Sequence, residues 1–191
     1  GEGKTLADRL DGLQLDDSQL ASYSLKLKQS ARLSQTYQGA HSLQEGLKPL
    51  ADYLPKLSQL QQQADALLTA DLQQPLRVWL KLDSGMHRLG FSPAEVRAWH
   101  PRLRGAAQVA ELNLLSHFAC ADERGHPLTE EQVEVFLDLL DLDFDQRSLA
   151  NSAALLTIPA AHMDWQRPGI MLYGATPFAD LSAQELGLRP A

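Results

Sequence analysis

The spacing of three short apolar runs constrains the fold of this chain more than any other feature. RVWLKL, VAELNLLSHF and RSLAN each lead into polar side chains, at Lys81, His117 and Asn151. These positions follow one another at intervals of about 35 residues, which suits one strand, one helix and their connections. Regular alternation of strands and helices predicts parallel strands, whose carboxyl ends collect the reactive side chains at one edge of the sheet.

Helix signals lie between the runs, as such a pattern requires. Ser92 followed by Glu95 is a capping-box pattern, and Pro93 stands in the first turn of SPAEVRAWHPRL. Thr129 is predicted to cap the next helix, TEEQVEVFLDLLDL. The apolar stripe expected on that helix consists of Val133, Phe136, Leu137 and Leu140.

The end of the chain continues the alternation. A brief helix is expected from Ser152 to about Leu156, and GIMLYG is typical of a final strand. The predicted fold class is therefore α/β, a partial parallel barrel from about Val78 to Pro177.

Composition changes at the same place as the pattern. No valine or isoleucine precedes Val78, although both occur after it, and strands favour β-branched residues. Residues 1–70 are therefore predicted to be a helix-rich region, and residues 71–191 to hold the βα units. Leucines from Leu43 onward follow one helix face, which Pro49 and Pro55 should bend or interrupt.

Charge and cysteine content exclude several classes of protein. A net charge of -7 and a pI near 5.3 argue against nucleic-acid binding. The single cysteine, Cys120, forms no internal disulfide, and no Cys/His spacing indicates a metal site. No apolar run is long enough to cross a membrane. We therefore expect an acidic cytoplasmic protein, and the start at Gly1 rather than Met suggests a fragment or a processed product.

Polar residues at the predicted strand ends suggest a site for an anion. A hydroxyl beside a helix start suits a phosphate, but Asn151 and Ser152 also fit a simple helix cap. Arg167, followed by Gly169, could approach the same ligand, or could belong to a surface turn. His117 alone is more often a core histidine, and Lys81 could lie with its stem buried and its charge in water.

Four segments in this order resemble the pyridoxal-phosphate-dependent alanine racemases: VWLKLDSGMHRLGF, LLSHFACADE, SLANSAALL and DWQRPGIMLYGATPF. The resemblance runs from about Leu60 to the end and covers the later part of that family's N-terminal barrel domain. It implies a partial TIM-type (β/α) barrel that binds pyridoxal phosphate. It also implies interconversion of L- and D-alanine, with a homodimer expected for the full-length family.

The resemblance assigns roles to particular residues. The residues implied to bind the cofactor are His117, Asn151, Ser152, Arg167, Gly169 and Ile170. Ser152 and the backbone of Gly169 and Ile170 would hold the phosphate, with Asn151 alongside. Arg167 would face the pyridine nitrogen, and His117 would orient Arg167 from behind.

Residues near the first strand end receive the remaining roles. Arg88 is the implied catalytic residue, close to the cofactor's phenolic oxygen and the substrate carboxylate. Lys81 would carry a carbamate that pairs with the neighbouring arginine. Asp83 and Met86 would form part of the wall near the substrate.

Two departures from the family bear on activity. The lysine that carries the cofactor is expected before Gly1, and the tyrosine base in a β domain after Ala191. The chain alone is therefore expected to be inactive. The alternative function is a non-catalytic protein on a remodelled half barrel, which either binds pyridoxal phosphate or another phosphate or serves as an interaction protein. A third interpretation, nucleotide hydrolysis, rests on GEGKT, which lacks the upstream glycine of a phosphate-binding loop.

Overall fold

The structure is a computed structural model that describes residues 43–189, with side chains from residue 54 onward. The chain divides into two units, Gly1–Ala51 and Asp52–Ala191, and the strands among residues 43–189 belong to the second. GEGKT and the other predictions made for the first 42 residues lie outside the described part.

The helices and strands alternate as the spacing predicts. In chain order they are α1 (Leu43–Thr69), β1 (Leu76–Lys81), α2 (Pro93–Arg104), β2 (Val109–Leu115), α3 (Pro127–Leu137), β3 (Arg147–Ser148) and α4 (Ser152–Thr157). Two short 3₁₀ helices follow, at Pro159–Ala161 and Ile170–Tyr173.

The first helix is not interrupted by its two prolines. α1 runs for 27 residues through both Pro49 and Pro55. Leu57 and Ala64 on this helix are buried, so the leucine-rich face packs inward from residue 54 onward, where side chains are described. The adjacent glutamines are partly or fully exposed.

The sheet is parallel, as expected, with the order β1-β2-β3. Lys81 is in register with Leu115, and Leu115 is in register with Ser148. The three strands therefore end at nearly the same height, and the residues that follow them share one edge. Leu80, Leu112 and Leu114 are buried, and α2 contacts β2.

The second helix begins as its sequence predicts. The backbone N–H of Ser92 donates to Glu95 Oε2 at 2.8 Å, and the N–H of Glu95 donates back to Ser92 Oγ at 3.4 Å. This reciprocal pair satisfies two donors that a helix start would otherwise leave open.

The third helix begins earlier than predicted, and Thr129 is not its cap. His126 is the N-cap, with its Nδ1 accepting from the N–H of Leu128 at 3.2 Å. Thr129 is buried instead, and its hydroxyl donates to the Cys120 carbonyl at 3.2 Å. An imidazole nitrogen can replace the usual hydroxyl or carboxylate because it also accepts a hydrogen bond.

The apolar stripe predicted for this helix is only partly correct. Phe136 is buried, but Leu137 and Leu140 are 37% and 43% exposed. The helix ends at Leu137, so the turn that follows carries Leu139 into the core in place of Leu140. Gln132 takes a buried place on the inner face.

The strand predicted at GIMLYG is wrong, since Ile170–Tyr173 is a 3₁₀ helix. Gly169 leaves the extended region at φ -77° and ψ -93°, and Gly174 is left-handed at φ 72°. The pairing next to β3 comes from a segment just before it. Trp165 N–H donates to Arg147 O, and Arg167 N–H donates to Ala150 O, both at 3.0 Å.

A tight loop follows β1 and returns to the end of the same strand. Phe91 N–H donates to Lys81 O, and Asp83 N–H donates to Phe91 O, both at 2.8 Å. Gly90 permits this return because its φ is 134° and a Cβ there would lie 2.6 Å from Asp83 N. Only glycine fits so close to another backbone at a positive φ.

Replacing Gly90 with alanine should destabilise the second unit by about 3 kcal/mol, through backbone strain and a backbone clash together. Urea denaturation followed by far-UV circular dichroism measures the change. Gly125→Ala is the matched control, since Gly125 also has a positive φ of 77° but open space around it. It should cost about 1 kcal/mol. Equal losses in the two variants would contradict the proposed clash.

Candidate functional site

The ends of the strands bring four basic side chains together. Lys81 ends β1, His117 follows β2, and Arg167 lies beside the end of β3. Arg88 projects from the loop after β1, and its charge acts on both Lys81 and His117. The sequence-predicted candidates therefore do meet at one edge of the sheet.

Arg167 is held by oxygen acceptors from two neighbouring strand ends. Its guanidinium donates to the carbonyl of Ser116 and to the hydroxyl of Ser148, both in short contacts. Ser148 Oγ in turn donates to Trp165 O at 2.7 Å. A planar guanidinium with several fixed acceptors has little freedom to rotate.

Arg167 and His117 are in contact, as the sequence analysis expected. Arg167 Nη2 lies 3.5 Å from His117 Nδ1. Burial first, and then the charges of Arg167, Arg88 and Lys81, lower the pKa of His117 below its usual 6.5. At neutral pH the imidazole is therefore uncharged, and its Nδ1 can accept from Arg167.

Lys81 is half-buried at the end of β1. Its pKa lies below the usual 10.5, chiefly because of burial and then because of the positive charges of Arg167 and Arg88. Asp83 acts in the opposite direction and raises the pKa of this amine. A larger share of Lys81 is consequently neutral and nucleophilic than for an exposed lysine.

Asp83 anchors the loop that carries Arg88. Its Oδ1 accepts from the backbone N–H of Gly85 at 3.1 Å and of His87 at 2.9 Å, and its Oδ2 lies 3.1 Å from His87 Nδ1. His87 has a left-handed φ of 55°, and these bonds offset the cost of that conformation. Asp83 thus holds the loop, and its expected place in a wall near the substrate stays a prediction.

The predicted phosphate-binding residues also lie near one another. Ser152 Oγ accepts from Met171 N–H at 3.4 Å. It also lies close to Gly169, where an added Cβ would be 3.9 Å from this hydroxyl oxygen. The backbone N–H groups of Gly169 and Ile170 donate to no other group within residues 43–189. Ser152 is buried and Gly169 is exposed, so an anion could reach these donors from solvent.

Asn151 has the structural role that the sequence left open. Its Oδ1 accepts from Ala154 N–H at 3.0 Å, which caps α4. This bond fixes the start of the helix and hence the position of Ser152, the next residue.

A buried polar chain behind the site was missed by the sequence analysis. It links Gln132 to Ser84 Oγ at 3.1 Å, Ser84 Oγ to Ser116 Oγ at 2.7 Å, and Ser116 Oγ to the Leu82 carbonyl at 2.9 Å. The signal available in the sequence was the position of Gln132, four residues before Phe136 and so on the same face of the predicted helix as the apolar stripe.

The part of the chain that the structure describes has neither a cluster of metal ligands nor a membrane-spanning helix. No three His, Cys, Asp or Glu side chains there come close enough together to hold a metal ion. None of the helices between residues 43 and 189 combines the length and apolar character needed to cross a membrane.

The fold and the site define a parallel α/β barrel segment with a cationic site at the carboxyl ends of its strands. A family model described as the N-terminal domain of alanine racemase matches residues 29–177. The chain belongs to this family. The match confirms the resemblance to the pyridoxal-phosphate-dependent alanine racemases and the prediction of a partial TIM-type barrel.

Individual relatives agree with the family match. The biosynthetic alanine racemase of Pseudomonas aeruginosa is 77% identical over 130 residues, 68% of this chain and 36% of that protein. Its crystal structure superposes with a TM-score of 0.66. The alanine racemase of Corynebacterium glutamicum is 36% identical, with a TM-score of 0.58 over 67% of this chain and 37% of that one. The chain thus spans about a third of the length of these relatives.

The stability that Asp83 provides should depend on pH. Burial raises the pKa of this carboxyl, but hydrogen bonds from His87 and Gly85 and the charge of His87 bring it below the usual 3.8. A pKa that folding depresses contributes stability above the unfolded value, and this contribution is lost as the pH falls through the folded value. Asp83→Asn should therefore cost about 2 kcal/mol at neutral pH, and the difference from the wild type should shrink below pH 3.8.

Urea denaturation at a series of pH values measures this difference. Asp122→Asn, an exposed acid in the loop after β2, is the control and should change stability little throughout. A cost for Asp83→Asn that stays constant into acid would show that the carboxylate charge does not hold the loop.

Proposed function

We propose that this chain forms the cofactor and substrate side of an alanine racemase, with pyridoxal phosphate as the cofactor and alanine as the substrate. The observation that carries the proposal is the convergence of Lys81, Arg88, His117 and Arg167 on one sheet edge. A cluster of basic groups attracts a ligand with more than one anionic group. A phosphorylated cofactor together with a carboxylate substrate has that character.

The chain's residues fit the phosphate of this cofactor. Ser152 offers a hydroxyl, while Gly169 and Ile170 offer backbone N–H groups that donate to nothing else within residues 43–189. Gly169 has no side chain, and a Cβ at this position would lie 3.9 Å from Ser152 Oγ. The glycine therefore leaves space for a ligand beside this hydroxyl. These three residues would therefore hold the phosphate, and Asn151 would support them by capping α4.

Arg167 suits the pyridine nitrogen because it is a permanent cation. Burial lowers the pKa of this guanidinium, but arginine stays protonated in proteins and does not give its proton to a neighbouring base. When bound, pyridoxal phosphate withdraws electrons from the α-carbon of an amino acid and makes its proton removable. Arg167 would hold the ring nitrogen unprotonated and so limit that withdrawal to what proton exchange needs.

Arg88 suits the carboxylate of the substrate. It is exposed on the loop that Asp83 anchors, so a ligand can reach it. A guanidinium binds a carboxylate through two parallel hydrogen bonds. Arg88 would orient alanine in this way and fix which base the single α-proton of the substrate faces.

Lys81 would carry a carbamate. Its neutral amine attacks the carbon of CO₂, a nitrogen–carbon bond forms, one C=O electron pair moves to oxygen, and the nitrogen releases a proton to water. The product is an anion between Arg88 and Arg167, whose charges act on Lys81. A protonated Lys81 would repel Arg88 and Arg167, whereas a carbamate on Lys81 attracts both guanidinium groups. This change from repulsion to attraction supports the modification.

The chain by itself would bind the cofactor without racemising alanine. Racemisation needs a proton-transfer group on each face of the substrate, and the family resemblance places both outside these 191 residues. We further propose a cytoplasmic enzyme that forms a homodimer at full length. The competing function is a non-catalytic protein that binds pyridoxal phosphate or another phosphate, or that serves as an interaction protein. Cofactor binding separates the proposal from the interaction protein.

Calorimetric titration with pyridoxal phosphate tests the proposed function. The chain should bind reversibly with a Kd of about 10 μM to 1 mM, as a noncovalent site for a dianion. Ser152→Ala removes one hydrogen bond to a charged group and should weaken binding by about 1.5 to 3 kcal/mol. Ser182→Ala, an exposed serine that caps a turn, should leave it unchanged. No saturable binding by the parent chain would overturn the proposal.

The carbamate on Lys81 is tested by carbon-13 NMR in labelled bicarbonate. One carbamate resonance should appear and should be absent in Lys81→Met. It should persist in Lys56→Met, which removes an exposed lysine of α1. The same resonance in the Lys81 variant would place the modification elsewhere, and none in the parent chain would refute it.

A further inference from the structure

Gln132 lies behind the cationic site and touches the residues that hold it. It is fully buried on α3. Its Nε2 donates to the His117 carbonyl at 3.0 Å and to Ser84 Oγ at 3.1 Å, and its Oε1 accepts from Ala119 N–H at 2.9 Å. One side chain therefore brackets the backbone on both sides of Phe118, just after His117.

The direction of every hydrogen bond in this network is fixed. Ser116 Oγ donates to the Leu82 carbonyl, which uses its one proton. Ser84 must then donate to Ser116, and Ser84 accepts from Gln132. The amide of Gln132 cannot be reversed, because its NH₂ would then face the N–H of Ala119. The arrangement has a single solution, which makes it rigid.

This network ends on the groups that carry the site. Ser116, whose hydroxyl belongs to the network, also supplies the carbonyl that accepts from Arg167. His117, whose carbonyl accepts from Gln132, supplies the ring beside Arg167. A Cβ at Gly85 would meet Gln132 Cγ at 3.3 Å, so the same side chain also packs against the loop that leads to Arg88.

We propose that Gln132 is a positioning residue that holds the His117 imidazole against Arg167 from outside the cofactor site. The inference rests on the proposed function, since the His117–Arg167 pair would serve the cofactor ring. Gln132 forms no hydrogen bond with either side chain of that pair, and it acts through the backbone of residues 117 and 119 and through the hydroxyl of Ser84.

The test uses the cofactor-free chain, so that it does not depend on binding. Nitrogen-15 histidine NMR gives the pKa and the tautomer of His117, with the resonance assigned from His117→Gln. Lys81, Arg88 and Arg167 are the charged groups that act on this ring. Gln132→Met keeps the length of the side chain but removes both its donor and its carbonyl acceptor.

In Gln132→Met, the ring should move away from Arg167, and its pKa should rise toward the usual 6.5. The tautomer protonated at Nε2, which leaves Nδ1 free to accept from Arg167, should lose its dominance. A merely structural role would lower stability and leave both quantities unchanged. Gln108→Met is the matched control, because Gln108 Nε2 also donates to a backbone carbonyl, that of Ala70, at 3.2 Å.

A folded Gln132→Met protein with the parent's His117 pKa and tautomer would overturn the inference. If that variant does not fold, Gln132→Glu takes its place. It keeps an acceptor for Ala119 N–H but sets an oxygen against the His117 carbonyl, so the same change of tautomer is expected, and an unchanged tautomer refutes the inference.

Cofactor affinity separates the two proposals. Gln132→Met should weaken pyridoxal phosphate binding by about threefold to tenfold, the effect of one displaced hydrogen bond, and Gln108→Met should not. If the parent chain binds no cofactor but Gln132→Met still changes the His117 titration, the proposed function fails and the positioning role stands. If the parent binds and Gln132→Met changes neither readout, the positioning role fails alone.

Discussion

Electrostatic repulsion at the strand ends is the constraint on which the rest of the structure depends. Arg167 Nη2 and His117 Nδ1 are 3.5 Å apart. Two unit charges about 4 Å apart repel by roughly 4 kcal/mol at an effective dielectric constant of about 20, which exceeds the gain from an ordinary hydrogen bond. The pair is therefore tolerable only with His117 neutral, in agreement with the lowered pKa of that imidazole.

The fold holds the basic side chains in place with neutral hydrogen-bond acceptors rather than with acidic partners. Arg167 donates to the Ser116 carbonyl and the Ser148 hydroxyl, which are neutral dipoles. Asp83 is the acid whose charge reaches Lys81, but its oxygens accept from the loop at Gly85 and His87. The basic cluster thus retains its attraction for an anion from outside.

The sequence was sufficient for features that depend on local chemistry and spacing. The Ser92–Glu95 capping box and the parallel strands ending at Lys81 and Leu115 were predicted because short-range patterns determine them. The cluster of Lys81, His117 and Arg167 followed from the same spacing. Their roles came from the resemblance to the racemases, since composition alone left each residue with an ordinary structural explanation.

The errors occur where tertiary contacts decide between local alternatives. The apolar run GIMLYG suits a strand, but glycines at both of its ends turn the backbone, and the pairing with β3 is made by Trp165 and Arg167 just before it. Thr129 suits a helix cap, yet its hydroxyl donates to the backbone carbonyl of Cys120. The local sequence around GIMLYG or Thr129 does not show which of these tertiary hydrogen bonds will form.

Gln132 shows the same limit and also explains why the buried network consists of amides and hydroxyls. Its acceptors and donors come from segments far apart in the chain, at Ser84 and at residues 117–119. A carboxylate or an ammonium in its place would act on the pKa values of His117 and Lys81, because both respond to charges around them. A neutral amide adds no such charge. It can therefore hold the carbonyl of His117 in position while the protonation of the imidazole is set by burial and by the neighbouring cations alone.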